Sequence, residues 1–175
     1  ATVISCCQNG DVLLLRKIID SNQTILNTCD KDDFNPLLTA IHHHQNNIVA
    51  FLLSHPTTDV TLIHNKFESN PFHVSVYRHN YNALTMLVDW CVRRGVLNKM
   101  INKTDVWGKT PLHQAIYHDF FFGAQALLTY FPDLDALDMN EKKPEDYCAY
   151  NKPDLHFLIK AYRAHYDRLN LHKRE

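Results

Sequence analysis

Asp105-Val106-Trp107-Gly108-Lys109-Thr110-Pro111-Leu112-His113-Gln114-Ala115 is the stretch from which the rest of the sequence can be read. Gly108 can take the positive φ of a tight turn and Thr110 can cap a helix. Pro111 can open that helix, because the first helical position does not use the N–H that proline lacks. Copies of this arrangement stand at Asn35-Pro36-Leu37-Leu38-Thr39-Ala40, Asn70-Pro71-Phe72-His73-Val74-Ser75 and Lys143-Pro144-Glu145-Asp146-Tyr147-Cys148, with prolines 35, 40 and 33 residues apart. Four residues after each Pro comes a small side chain (Ala40, Ser75, Ala115, Cys148), where two helices must approach closely. Ile48, Val49, Leu52 and Leu53 then recur as Ala83, Leu84, Leu87 and Val88, and again as Gly123, Ala124, Leu127 and Leu128. This spacing predicts the apolar stripe of a second, outer helix in each copy.

Thr110-Pro111-Leu112-His113-Gln114-Ala115 carries the Thr-Pro-Leu-His-x-Ala signature of ankyrin repeats, and the chain resembles a divergent member of that family. The resemblance implies an all-α ankyrin-repeat solenoid of about five helix-turn-helix units with short β-hairpin-like connecting loops, forming a single domain over residues 1–175. The approximate units are 1–29, an N-terminal cap repeat turning at Asn9-Gly10-Asp11, then 30–64, 65–104, 105–137, and 138–175, a C-terminal cap repeat. Atypical ends suit a stack in which each terminal unit has one neighbour. The last helix, Asp154 to about Asn170, sets Leu155, Leu158, Ile159, Tyr162, Tyr166 and Leu169 at helical spacing, with Lys160, Arg163, His165 and Arg168 outward. Asp33, Glu68 and Glu141 replace the turn glycine that Gly108 keeps, and His44, His79 and Asp119 replace the glycine between helices, so these residues are expected at positive φ. Asp89 to Thr104 holds extra residues that predict a lengthened outer helix, a stop near Gly95 and another short turn. Gly-poor, Asn- and His-rich repeats of this kind are similar to those in effectors that intracellular bacteria deliver into host cells.

Composition narrows the function classes. The sequence has 18 Lys plus Arg against 19 Asp plus Glu, for a net charge of -1, so nothing at whole-chain level favours nucleic acid or an anionic membrane. Only 4 glycines occur, which argues against a Gly-rich phosphate loop. No window reaches the ~18 consecutive apolar residues of a membrane span, and no signal-peptide layout opens the chain at Ala1. Five cysteines (Cys6, Cys7, Cys29, Cys91, Cys148) with no C-x-x-C pair predict reduced thiols in the cytoplasm or nucleus, or in host cytosol for a delivered effector. A start at Ala1 predicts the targeting part of a longer protein, a scaffold or the substrate-recruiting arm of an enzyme.

The family grips other proteins with its hairpin tips and the exposed positions of its first helices. Residues off the apolar stripes are also the ones left available for partners. At those positions stand Phe34, His42, His43, Phe67, Tyr77, Arg78, Trp107, Lys109, Tyr117, His118, Met139 and Tyr150. Aromatic and Arg residues are enriched at interface hot spots, so the expected partner is another protein, a folded domain or an extended peptide. Phe120-Phe121-Phe122 exceeds what one stripe can bury, predicting at least one exposed ring. The 12 histidines invite a metal reading through His42-His43-His44, but consecutive helical residues diverge by about 100 degrees, so no metal site is predicted. No cofactor is predicted either. His73 and His113 are expected to bond neighbouring backbone, and Cys6, Cys7 and Cys148 to pack as small core residues. Asp30, Asp32 and Asp33 form a charged turn tip without the closed pocket a catalytic pair needs, and no enzyme activity is expected of this segment. A nucleic-acid role through Arg163, Arg168 and Leu171-His172-Lys173-Arg174-Glu175 is the weaker alternative, since basic residues in a last turn also favour the helix dipole.

Overall fold

The computed structural model describes residues 2–148 and 151–171. The chain folds into α-helices, and no strand occurs among the described residues. A first row of short helices comprises α1 (Val3–Asn9), α3 (Pro36–His42), α5 (Pro71–Tyr77) and α8 (Pro111–Tyr117). A second row comprises α2 (Val12–Ser21), α4 (Asn46–Ser54), α6 (Tyr81–Arg94) and α9 (Phe121–Leu128), closed by α10 (Pro153–Leu171). The short α7 (Leu97–Ile101) follows α6. Contacts run along each row and between the two helices of each pair, so the molecule is a two-layered stack of helix pairs. No helix is long and apolar enough to cross a membrane.

The helix starts follow from local chemistry. Asn35, Asn70 and Thr110 each accept, through the side chain, the N–H of the third helical residue, and Pro36, Pro71 and Pro111 follow them. The turns are as constrained as their residues suggested. Asp33, Glu68 and Glu141 have φ of 66, 53 and 57°, beside 71° for Gly108. His44, His79 and Asp119, between the helices of each pair, have φ of 57, 52 and 56°. Non-glycine residues hold these positions because the helices on both sides fix them.

The apolar stripes meet in one continuous core. Ile48, Val49, Leu52, Ala83, Leu84, Leu87, Ala124, Leu127 and Leu128 are buried, and so are Ala40, Ser75 and Ala115 where the rows touch. Each fully buried Leu among them contributes about 1.5–3 kcal/mol relative to exposure. A Cβ on Gly123 would run into the Phe120 ring, which is itself buried and stacked on His79 at 4.6 Å. Of the Phe triplet, only Phe122 is largely exposed. The insert forms the end of α6, a left-handed stop at Gly95 (φ 67°) and α7, whose Met100 and Ile101 are buried.

Neighbouring units are also stitched by buried polar groups. His73 Nδ1 accepts the Asn70 N–H at 3.1 Å, and its Nε2–H donates to the Lys109 carbonyl at 2.8 Å. His113 repeats the arrangement with Thr110 and the Lys142 carbonyl, at 3.1 and 2.9 Å. Burial pushes His73 down to about 4 and lowers His113, so both rings are neutral. Asn80 Nδ2 donates to the Ile41 carbonyl at 2.9 Å. Cys6, Cys7 and Cys91 are buried, and burial pushes the Cys7 thiol up to about 12 and Cys91 to about 11. Cys148, half-buried, is likewise pushed to about 11.

The Pro144 segment differs from the other three. It forms only a 3-10 turn, Pro144–Tyr147, with Glu145 and Asp146 standing where Leu37 and Leu38, Phe72 and His73, or Leu112 and His113 follow the earlier prolines. Asp146 folds back to accept the Lys143 N–H at 2.8 Å, and the chain re-enters helix at Pro153.

Candidate functional site

The tips between helix pairs are built around a repeated Asp. Asp105 accepts the N–H groups of Trp107 and Lys109 on Oδ1, at 3.0 and 2.9 Å. Asp138 does the same for Asn140 and Lys142, and Asp30 for Asp32 and Phe34. The acidic cluster at Asp30 therefore organises a turn. In the second tip His64 takes the Asp position, and its N–H donates to the Ser69 carbonyl five residues on, whereas the Asp N–H groups reach only four. That tip is one residue longer.

Adjacent tips are joined by backbone bonds, Val106 N–H to the Phe67 carbonyl at 2.9 Å and Met139 N–H to the Trp107 carbonyl at 3.0 Å. This spacing lays Trp107 against Phe67 (centroids 5.7 Å, 20° between planes) and Phe67 against His64 (4.8 Å). Phe67, Trp107 and Tyr117 are 37%, 47% and 54% exposed; the first two are held by stacking on each other and Tyr117 by edge-on contact with His118 and Tyr147, so a large apolar area still faces water. Below the tips, α5 contributes Tyr77, α8 contributes Gln114 and Tyr117 with His118 capping its end, and the 3-10 turn contributes Tyr147. Together these residues line an open groove of about 660 Å³ crossing three successive units.

The groove floor holds a polar network. Lys109 is buried, and its Nζ lies 3.2 Å from Asp138 Oδ2, 5.0 Å from the Tyr147 ring centre and 5.8 Å from that of Tyr117. The Tyr147 hydroxyl donates to the same Asp138 oxygen. Burial alone would raise the Asp138 carboxyl, but the Tyr147 hydroxyl, the two turn N–H groups and the Lys109 ammonium hold it well below the usual carboxylate range. Burial also acts to lower Lys109, and Tyr147 and Asp138 outweigh it, so the ammonium stays charged. Gln114 Nε2 donates to Asp105 Oδ2 at 2.7 Å, which fixes the amide orientation because a carboxylate only accepts.

Of the residues singled out in the sequence, Phe67, Tyr77, Trp107, Lys109, Tyr117 and His118 line this groove. Phe34, His42 and His43 form a neighbouring cluster, His42 edge-on to Phe34 at 5.2 Å and to Tyr77 at 6.3 Å. Burial, with Arg78, His43 and His44 nearby, pushes His42 down to about 4. Arg78 Nε donates to the His42 carbonyl at 3.0 Å, a stitch between units. Met139 is 72% exposed and lies off the groove lining. Tyr150 lies outside the described residues, as does the tail from His172. Arg163 is engaged by Glu145 and Asp135, both at 3.1 Å.

Lys142, two residues before Pro144 as Lys109 is before Pro111, lines the groove too, and so do Gln114 and Tyr147, which were not among the residues expected to meet a partner. Gln114 stands three residues before Tyr117 on the same helix face, the spacing that would have found it. Among the described residues no group of three or more His, Cys, Asp or Glu is placed to hold a metal ion. No protein-family model matches the chain.

Proposed function

We propose that the chain is an ankyrin-type repeat array that works as a protein-recognition module, gripping a partner protein through the groove crossed by Phe67, Trp107 and Tyr117. The observation that carries this reading is the stack of half-exposed rings, fixed by backbone bonds between tips and oriented along one groove. Rigid aromatic anchors of this kind are what interface hot spots use, because little side-chain entropy is lost when they are covered. The ankyrin type is supported by the recurring Pro-opened helix, the tip turns at positive φ and the His-to-next-tip hydrogen bond. Five unpaired thiols suit a reducing cytoplasmic or nuclear setting.

Affinity capture from a eukaryotic lysate, run side by side with the intact chain and a Trp107→Ala, Tyr117→Ala variant shown folded by circular dichroism, tests the reading. A protein held by the intact chain should bind the variant about thirtyfold or more weaker. Equal retention by both would remove the groove as the recognition site.

A further inference from the structure

The charged side chains on the groove lining are of one sign. Lys109 and Lys142 both line it and no carboxylate does. The two ammonium groups converge on one ring, that of Tyr147, at 5.0 and 5.3 Å. Asp138 answers Lys109, and its remaining lone pairs are taken by the Tyr147 hydroxyl and two turn N–H groups. Lys142 has no carboxylate within 4.0 Å among the described residues, whereas Lys143 and Arg163 close by are both paired. Of the two cations on the lining only Lys109 has a carboxylate partner, which leaves Lys142, beside the Tyr147 ring, as the one that a carboxylate from outside can answer. Gln114 adds direction, since its Nε2 is held by Asp105 and its Oε1 makes no hydrogen bond within the described protein, leaving an acceptor for a peptide N–H. A groove crossing three units matches an extended chain better than a compact ligand.

We propose that the groove takes an extended acidic segment of a partner protein, with one Asp or Glu carboxylate seated at Lys142 beside Lys109 and an adjacent apolar or aromatic side chain on the Phe67–Trp107 stack. This rests on the recognition reading above and specifies its partner chemistry. Charge complementarity of this type raises the encounter rate and rejects basic segments.

Randomised peptides of about nine residues, displayed on phage, are selected in parallel on the intact chain, on Lys142→Glu and on the Trp107→Ala, Tyr117→Ala variant; the length spans roughly 30 Å when extended. The selected peptides should carry Asp or Glu next to an aromatic or branched apolar residue. Exchanging that acid for its amide should weaken binding about tenfold or more, and Lys142→Glu should weaken the acidic peptide at least as much and its amide form by a clearly smaller factor. Lys142 is exposed, so a purely structural lesion would weaken both forms alike. Peptides without acidic enrichment, or acid and amide forms of equal affinity, overturn the proposal while recognition stands if binding is still lost in the double variant. If no peptide is retained by the intact chain, the proposal and its basis fall together.

Discussion

Removing the Asp138 carboxylate takes the acceptor away from two turn N–H groups, from Tyr147 and from Lys109, leaving a buried ammonium without a counter-charge. Asp138→Ala should therefore cost about 3 kcal/mol of stability, as breaking a buried ion pair from one side does. Lys109→Met should cost only about 1 kcal/mol, because Asp138 keeps its other three donors. Urea unfolding midpoints compare the two, and equal losses would contradict this account. The buried histidines set a second expectation. Burial brings His73 and His42 to about 4 and moves His113 and His118 the same way, all below the ordinary value of 6.5. The unfolded chain then binds more protons between those values, so this stability is complete above about pH 6.5 and is lost as pH falls toward about 4. Urea midpoints taken from about pH 7 down to about pH 5 should fall, and His73→Gln should flatten part of the decline. A flat profile for the intact chain would refute this.

At the level of elements, the left-handed turns give predictions of opposite sign from one cause. Glu68 and Asp119 hold φ of 53 and 56° without a glycine, so Glu68→Gly and Asp119→Gly should each stabilise by about 0.5–1 kcal/mol. Gly95 (φ 67°) has nothing within 4 Å of an added Cβ, so Gly95→Ala should destabilise by about 1 kcal/mol through backbone strain alone. Thermal melts followed by circular dichroism test all three, and a loss of stability in the glycine variants would show that those side chains support the turns. These turn positions were legible in the sequence, as were the Pro-opened helices, the outer stripes and the stop at Gly95, because each is governed by chemistry within a few residues. The extra residue in the second tip was not, since it shows only in which carbonyl the His64 N–H reaches. Nor was the shortened helix at Pro144, since Glu145 and Asp146 after a proline equally suit the first turn of a full helix. In the groove, the exposed rings could be read from their register. The Lys109–Asp138–Tyr147 network joins residues of two units, so their meeting depends on how the units stack.

Across the whole molecule, the extensive contacts of each helix pair are with its neighbours in the stack, so stability should be graded along the chain. Hydrogen exchange should protect α3 and α5 most, flanked as they are by a helix of the row on each side, and α1 and the last turns of α10 least. Equal protection from end to end would instead mark a single cooperative unit. The stack also keeps the 2 tryptophans apart. Trp107 stands half-exposed at the groove rim, whereas Trp90 sits on the second row, its Nε1–H bound to the Leu53 carbonyl at 3.0 Å and Arg94 over its ring at 4.6 Å. Any occupant covering the Phe67–Trp107 stack would dehydrate the first indole and move its emission to shorter wavelength, while the second would respond to unfolding alone. With Trp90→Phe, the groove carries its own optical reporter, and occupancy can be titrated without attaching a label to either molecule.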